Sequence, residues 1–528
     1  MTAIRHPALR STRLVPLVHG APLVHRAPLV SRVPLVHLAP LALLTLLALL
    51  AGCATVGPDY QRADVAAPDH WSEAVAGNSA AGSPAVAAVS LAAWWHSFND
   101  PELDALIDRA IASNHDLRIA QARVREERAR FGAAEADGGP TVDAGGSVAR
   151  QQASHHQPVL GSLPLPPGIP FDNTVFQAGF DASWEIDVFG GARREREAAV
   201  DEVEAAIAGR RATLVTLLGE VARNYLDVRA SQRRLEIVAG NITTQEKSLA
   251  ISRDRVAQGL ASDVDVDLAA TLLAATRAGV PPLESALHIS IHRLGILIGQ
   301  PPGALLAELS VRAPIPVALP VVPIGLPSEL LRRRPDVQRA ERTVAAATAR
   351  IGMARADLFP RFFLTGGAGF ESISAEDWFT KSSSLWSIGP SISWRIFDMG
   401  RVRANIRIQD ARLEQAQAAY EQTILTAFGE VDDALVAYAK EQVRQSLLRD
   451  AVASSRASLE LANQLYATGL KDALTVLDAE RSLLQSQDQL VQSERAVSAD
   501  LIALYKALGG CWQDRDADRT APLAARAP

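Results

Sequence analysis

From Val175 to Asp187 apolar and polar positions alternate without a break. Phe176, Ala178, Phe180, Ala182, Trp184 and Ile186 share one face; Gln177, Gly179, Asp181, Ser183 and Glu185 share the other. A two-residue period over a dozen positions predicts a strand with one apolar and one mostly polar side. The pattern returns at Trp386, Ile388, Pro390, Ile392, Trp394 and Ile396, set against Ser387, Gly389, Ser391, Ser393 and Arg395. A weaker alternation runs through Val142, Ala144, Gly146 and Val148. Length near ten with this alternation marks a strand that crosses a membrane as part of a barrel. A sandwich strand with one face on a core alternates in the same way, but the export signal described below disfavours it.

Long stretches with helical character separate these segments. Gly191 to Gln258 contains no proline, and neither does Arg401 to Thr468. At 1.5 Å per residue each spans roughly 100 Å if continuous. Gly259-Leu260 and Gly469-Leu470 then break the pattern, and return helices run to about Gly299 and Gly509. Each is expected to form a long helical hairpin that must pack laterally, in coiled-coil style. Nearer the N-terminus, Asp100-Pro101 reads as a helix cap and first turn, with Leu103, Leu106, Ile107, Ala110 and Ile111 at helical spacing. A second helix is expected from about Asp116 to Ala136.

The chain contains itself twice. Trp184, Gly190, Gly219-Glu220-Val221, Gly259-Leu260 and Gly299 recur 210 positions later as Trp394, Gly400, Gly429-Glu430-Val431, Gly469-Leu470 and Gly509. Upstream, Asp116, Arg130, Gly132 and Pro140 recur 220 positions later as Asp336, Arg350, Gly352 and Pro360. One structural unit is therefore used twice, with two strands in each copy. Four strands cannot close a membrane barrel, and open sheet edges in lipid are forbidden. The chain must oligomerise, and three copies supply twelve strands.

Composition fits this reading: aromatics are only 5% of the chain. The N-terminus carries Arg5, Arg10, Arg13, Arg26 and Arg32 with no acid, then an apolar run from Leu41 to Leu50, which is an export signal. Leu50-Ala51-Gly52-Cys53 ends it and resembles a bacterial lipobox, implying cleavage before Cys53 and acylation there. Ala54 at the next position favours the outer membrane. The net charge of −6, about −11 without the leader, disfavours nucleic-acid binding. The expected organisation is signal peptide 1–52, lipidated tether 53–90, first repeat 91–310, Pro-rich linker 311–327, second repeat 328–512 and disordered tail 513–528.

Five segments together resemble the TolC/NodT outer-membrane factor family, in the lipoprotein branch that serves RND-type efflux pumps. They are Trp184-Glu185-Ile186-Asp187-Val188-Phe189-Gly190-Gly191, Arg333-Arg334-Pro335-Asp336, Ala356-Asp357-Leu358-Phe359-Pro360, Tyr466-Ala467-Thr468-Gly469-Leu470 and Leu508-Gly509-Gly510. The resemblance covers roughly 54–513. It implies an α+β membrane fold: a trimeric 12-stranded outer-membrane β-barrel, four strands per chain, continuous with a long periplasmic α-helical barrel. It also implies a homotrimer in outer-membrane lipid that docks a periplasmic adaptor and, through it, an inner-membrane pump.

The family closes its tunnel at the hairpin tips with acidic rings. By motif position Asp478 matches one ring, while Thr475 stands where the other aspartate would be. A solvated surface acid is the alternative for Asp478. Tyr466 and Asp265 match positions of tip contacts, and Lys471 replaces an arginine. The turns at Gly259, Leu260, Gly469 and Leu470 would face the adaptor.

No catalytic constellation stands out and no cofactor is expected. His288 and His292 have metal-ligand spacing but no third ligand, and His155-His156 falls in a loop. Arg332-Arg333-Arg334 reads as surface salt bridging, and no role is assigned to Cys511. The expected function is a passive exit duct for small molecules. The exit duct of a type I protein-secretion system is the alternative, and a periplasmic coiled-coil scaffold is a third reading that the alternating strands oppose.

Overall fold

In the computed structural model an antiparallel strand pair and a long helical hairpin follow one another twice. The structure describes residues 55–62, 68, 71, 91–152, 154, 172–317, 327 and 332–510. The export signal, Cys53, most of the tether, His155-His156, much of the linker, Cys511 and the tail lie outside the described residues.

The first repeat opens with a 3-10 segment at Leu91–Phe98 and helix α1, Pro101–Ser113. The Asp100 carboxylate accepts from the Glu102 and Leu103 amides and caps α1, with Pro101 in its first turn. Helix α2, His115–Asp137, leads into strands β1, Thr141–Gln152, and β2, Asp172–Ile186. Helix α3, Gly191–Ala257, descends for 67 residues; α4, Asp263–Ala278, and α5, Val280–Leu297, return. The second repeat supplies α6, Pro335–Ala356, β3, Arg361–Ser372, β4, Ser384–Ser393, α7, Arg401–Ala467, again of 67 residues, and α8, Ala473–Ala507.

Two differences from the sequence expectation have local causes. The return helix of the first repeat is two helices, because Pro281 and Pro282 remove amide donors just after Gly279. Its counterpart α8 has no proline and runs unbroken. The strand β4 ends at Ser393, so Trp394 and Ile396 continue the alternation of sequence but not of pairing.

The four strands form one antiparallel sheet in the order β1-β2-β3-β4. The register joins Ala144, Phe180, Ala368 and Trp386 in one row, and Asp143, Asp181, Gly367 and Ser387 in the next. Rows alternate apolar and polar through the part of the sheet from Thr141 to Ala144, and the alternation lapses toward the other end, where Ala149 pairs with Val175 and Arg150 with Thr174. No residue of the four strands is buried. A sandwich strand would have one side on a core; this sheet has none, and β1 and β4 carry its free edges. Among the described residues no helix is long and apolar enough to cross a membrane.

The main core lies where α1, α3, α5, α6, α7 and α8 meet. Trp94, Trp95, Tyr225 and Tyr505 are its largest fully buried side chains, and Trp94 stacks on Tyr505 at 5.5 Å. Arg334 is buried there too: it bonds Asp336 and the Ala507 carbonyl and ion-pairs with Glu430. The arginine run was expected to be surface salt bridging, and for Arg334 that is corrected. Three acceptors around one guanidinium satisfy a charge that burial alone would disfavour.

Through the core and beyond it the long helices of the hairpins obey a seven-residue rule. On α3, Leu214, Val221, Val228, Leu235, Ile242 and Leu249 recur every seven residues, as do Leu217, Asn224, Ser231, Val238, Gln245 and Ser252. All are buried or half-buried. On α7, 210 positions later, Ile424, Val431, Tyr438, Gln445, Val452 and Leu459 repeat the first set. A strict heptad on an α-helix imposes a left-handed supercoil, which keeps one seam facing its partner along the full length.

Candidate functional site: the hairpin tips and the seam between them

Both tips close in the same way. At the first, the Leu260 amide donates to the Arg255 carbonyl at 2.8 Å and the Gly259 amide to the Val256 carbonyl at 2.9 Å. At the second, Leu470 donates to Leu465 at 2.9 Å and Gly469 to Tyr466 at 3.1 Å. These are Schellman motifs, and they need a left-handed residue: Gly259 has φ +71° and Gly469 +76°. Leu260 and Leu470, expected to face an adaptor, are both well exposed.

The return helices are capped by the same device with its parts exchanged. In the first hairpin Ser262 is the cap, and the Asp265 carboxylate accepts from its amide at 3.0 Å. In the second, Asp472 is the cap and accepts from the Thr475 amide at 3.1 Å and hydroxyl at 2.6 Å. The Asp472 carboxyl is held below its usual range by the Thr475 hydroxyl bond, with the Thr475 amide adding to it. Asp265 and Thr475 therefore occupy equivalent positions and both serve caps within the chain. Within the chain neither joins the two hairpins.

Tyr466 does join them. The Arg255 guanidinium lies 4.4 Å from its ring centroid and donates to its main-chain carbonyl at 2.8 Å. Arg255 was not among the residues singled out from sequence. Asp478 lies on the exposed side of α8 and pairs with Arg481, one turn on, at 2.7 Å. The Lys471 side chain is exposed at the turn.

Above the tips a polar ladder ties α3 to the second hairpin. Asp227 pairs with Arg495; Arg234 with Asp488 at 2.5 Å; Asn241 bonds Gln487 at 3.1 Å; Ser248 bonds Glu480 at 2.5 Å; Arg255 holds Tyr466. The α3 members are seven residues apart throughout. Sequence reasoning missed this row, though the heptad phase of α3 would have pointed to it.

At the other end, where the strands meet the helices, the tether is seated. Val56 donates its amide to the Phe189 carbonyl at 3.0 Å. Arg194, 3% exposed, donates to the Val56 and Gly57 carbonyls, Asp59 and Glu197. Gly57 crosses Gly352 so closely that a Cβ on Gly57 would lie 2.5 Å from the Gly352 Cα. His288 and His292 sit 6.2 Å apart on α5, and no metal-holding cluster occurs among the described residues.

The architecture is that of a duct rather than of a pocket: a two-faced sheet with free edges, long hairpins, and charged links at the tips. The chain matches the outer membrane efflux protein family over residues 106–300 and 326–510 and belongs to it. It is 34% identical over 467 residues to the solvent efflux pump outer membrane protein SrpC of Pseudomonas putida, covering 87% of this chain and 96% of that one. It is 31% identical over 470 residues to the probable outer membrane lipoprotein SilC of Salmonella typhimurium, covering 88% and 96%. Among solved structures it resembles the outer-membrane channel OprN, with TM-score 0.79 and 36% identity over 87% of this chain and all of that one. The fold is that of the trimeric TolC-like channels, each protomer giving four strands to a barrel that continues into a helical barrel. The chain is an outer-membrane component of an efflux system and extends into the periplasm.

Proposed function

We propose that this chain is the passive exit duct of a tripartite pump, working with a periplasmic adaptor and an RND-type inner-membrane transporter. Three copies close the barrel. The observation that carries this reading is the sheet: its strands bury nothing, one face is a band of Phe180, Trp386, Ile388 and Ile392, and both edges are free. In lipid those edges must pair with another copy. Lateral packing of the hairpins is supported by α7, where Ile408, Leu425, Val443, Leu447 and Leu461 are exposed on one side of the helix at multiples of about 3.5 residues.

The cargo is proposed to be small molecules of the kind for which its relatives are named, such as solvents, rather than the polypeptide of a type I system. Deleting the gene is expected to sensitise cells to solvents and antibiotics and to leave protein secretion intact. Loss of a secreted protein would favour the alternative.

Acylation of Cys53 is supported by the seating of Val56 beside Phe189, just past the end of β2. Only Ala54 and Thr55 lie between Val56 and Cys53, so the acylated cysteine is within roughly 11 Å of chain of that contact. Mass spectrometry of the mature N-terminus tests this.

The gate is proposed at Asp478. Three exposed carboxylates around one axis repel each other and attract cations. Single-channel conductance of the mature trimer in planar bilayers tests both the duct and the gate. A small cation-selective conductance that rises in Asp478→Ala supports them. An unchanged conductance moves the gate elsewhere, and none from an inserted trimer overturns the duct.

A further inference from the structure

The seam between the hairpins holds one acid that its surroundings do not balance. Glu480 on α8 is 1% exposed. The Ser248 hydroxyl of α3 donates to its Oε1 at 2.5 Å, while its Oε2 is buried and has no hydrogen-bond partner among the described residues. Gln245, one turn before Ser248 on α3, is equally buried, and neither its Oε1 nor its Nε2 has a partner there. The immediate surroundings are apolar: Leu249 of α3, Ala269 and Leu273 of α4 and Leu477 of α8 form a small separate core at this level.

Charged groups on the neighbouring elements are engaged elsewhere or exposed. Glu246 of α3 pairs with Arg277 of α4 at 2.5 Å, and Asp478 pairs with Arg481 on α8 itself. Lys247 of α3 and Glu460 of α7 are exposed. None of them forms an ion pair with Glu480. Burial raises its carboxyl above the ordinary range, and the Ser248 bond only partly offsets this. A buried carboxylate with one hydrogen bond and no counter-charge is strongly disfavoured against its neutral form.

We propose that Glu480 is a protonation-controlled latch between the two hairpins: neutral, it seals the seam at Ser248; ionised, it loosens the seam and frees the tips to part. The sign follows from the direction of the shift. An acid whose folded-state value is raised holds its site most firmly in acid, and the hold weakens as pH rises from the ordinary carboxylate range up to that raised value. The consequence for conduction rests on the duct reading above; the latch itself does not.

Amide hydrogen exchange in the detergent-solubilised trimer reads the latch directly. After correction for intrinsic rates, protection of segments 245–252 and 473–483 is expected to fall roughly tenfold or more between pH 5 and pH 8. In Glu480→Gln, which keeps the shape and the neutral charge, protection stays at its pH 5 level throughout. Protection that is flat in the natural protein, or a slope that persists in Glu480→Gln, overturns the latch. Conductance in planar bilayers over the same pH range separates the two readings. A trimer that fails to conduct while showing the exchange signature keeps the latch and removes the duct; a conducting trimer without the signature does the reverse.

Discussion

The Arg255 guanidinium covers the Tyr466 ring at 4.4 Å and bonds the same residue's carbonyl, fastening α3 to α7 within a few residues of both turns. It is the lowest rung of the seven-residue ladder and the one nearest the opening. The Tyr466 hydroxyl has no hydrogen-bond partner among the described residues. The link therefore depends on the ring face and the carbonyl, both of which phenylalanine keeps. Arg255→Ala is expected to lose about 1–2 kcal/mol of closure, which raises the open fraction about fivefold to thirtyfold. Tyr466→Phe is expected to leave conductance close to that of the natural protein. Single-channel recording of both variants checks this; a Tyr466→Phe channel as open as Arg255→Ala would show that the hydroxyl carries the closure.

Trp184 and Trp394 perform one job twice at the foot of the sheet. Each indole N–H donates to a carbonyl at the end of a preceding helix, Trp184 to Gly138 and Trp394 to Leu358, both at 3.1 Å. The two tryptophans are 210 positions apart and their acceptors 220. Aromatic rings with a polar edge anchored this way suit a membrane boundary. Trp184→Phe and Trp394→Phe are each expected to cost about 1 kcal/mol per protomer. The cost would appear as similar losses of heat resistance of the trimer in gel migration. A large loss from one and none from the other would show that the repeats are not mechanically equivalent.

Much of this architecture was legible because it rests on periodicity. The period-two runs placed β1, β2 and β4, the repeat supplied the count of four without locating β3, and the proline-free stretches placed both 67-residue helices within a residue of their observed ends. The break at Gly279 was missed because Pro281 and Pro282 sit in a segment whose apolar spacing continues past them. The site was less legible. Tyr466 was found through its motif, but its partner Arg255 is an arginine on a long polar helix, and nothing local separates it from its neighbours. Glu480 looks like any helix-surface acid until the heptad phase of α3 is laid against α8. Asp265 matched the position of a tip contact and Thr475 that of a gate aspartate, yet their immediate contacts are helix caps, a local role that motif position alone does not reveal.

The seating of the tether depends on two glycines and one arginine. A Cβ on Gly352 would lie 2.8 Å from the Cγ of Arg194, and Arg194 holds the Val56 and Gly57 carbonyls. Gly352→Val is expected to displace Arg194 and release residues 55–62, at a cost of about 1–3 kcal/mol from the lost charged hydrogen bonds. Limited proteolysis of the purified trimer checks it: cleavage within 55–62 should accelerate, with the hairpins unaffected. Unchanged cleavage would mean that the segment is held by other contacts.

Asp201 sets a pH dependence of known sign at the top of α3. Burial pushes its carboxyl from 3.8 up to about 6. Arg342 opposes this weakly, because its guanidinium is shared: it reaches Glu204 at 3.1 Å and Asp201 at 3.3 Å. Below about pH 4 the proton is bound whether or not the chain is folded, and the site costs nothing. Between about 4 and 6 the unfolded chain ionises while the folded one resists, so stability falls as pH rises through that window. Two pH units correspond to roughly 2–3 kcal/mol per protomer at most. Glu480, Glu494 and Asp500, all raised first by burial, contribute in the same direction. Asp201→Asn, which leaves Arg342 its bond to Glu204, is expected to flatten part of the slope and to raise the thermal midpoint at pH 7.5 by a few degrees. Differential scanning calorimetry at pH 4.5, 6 and 7.5 measures it. A variant with the full natural slope would place the titration on the other buried carboxylates and leave Asp201 ionised and paired with Arg342.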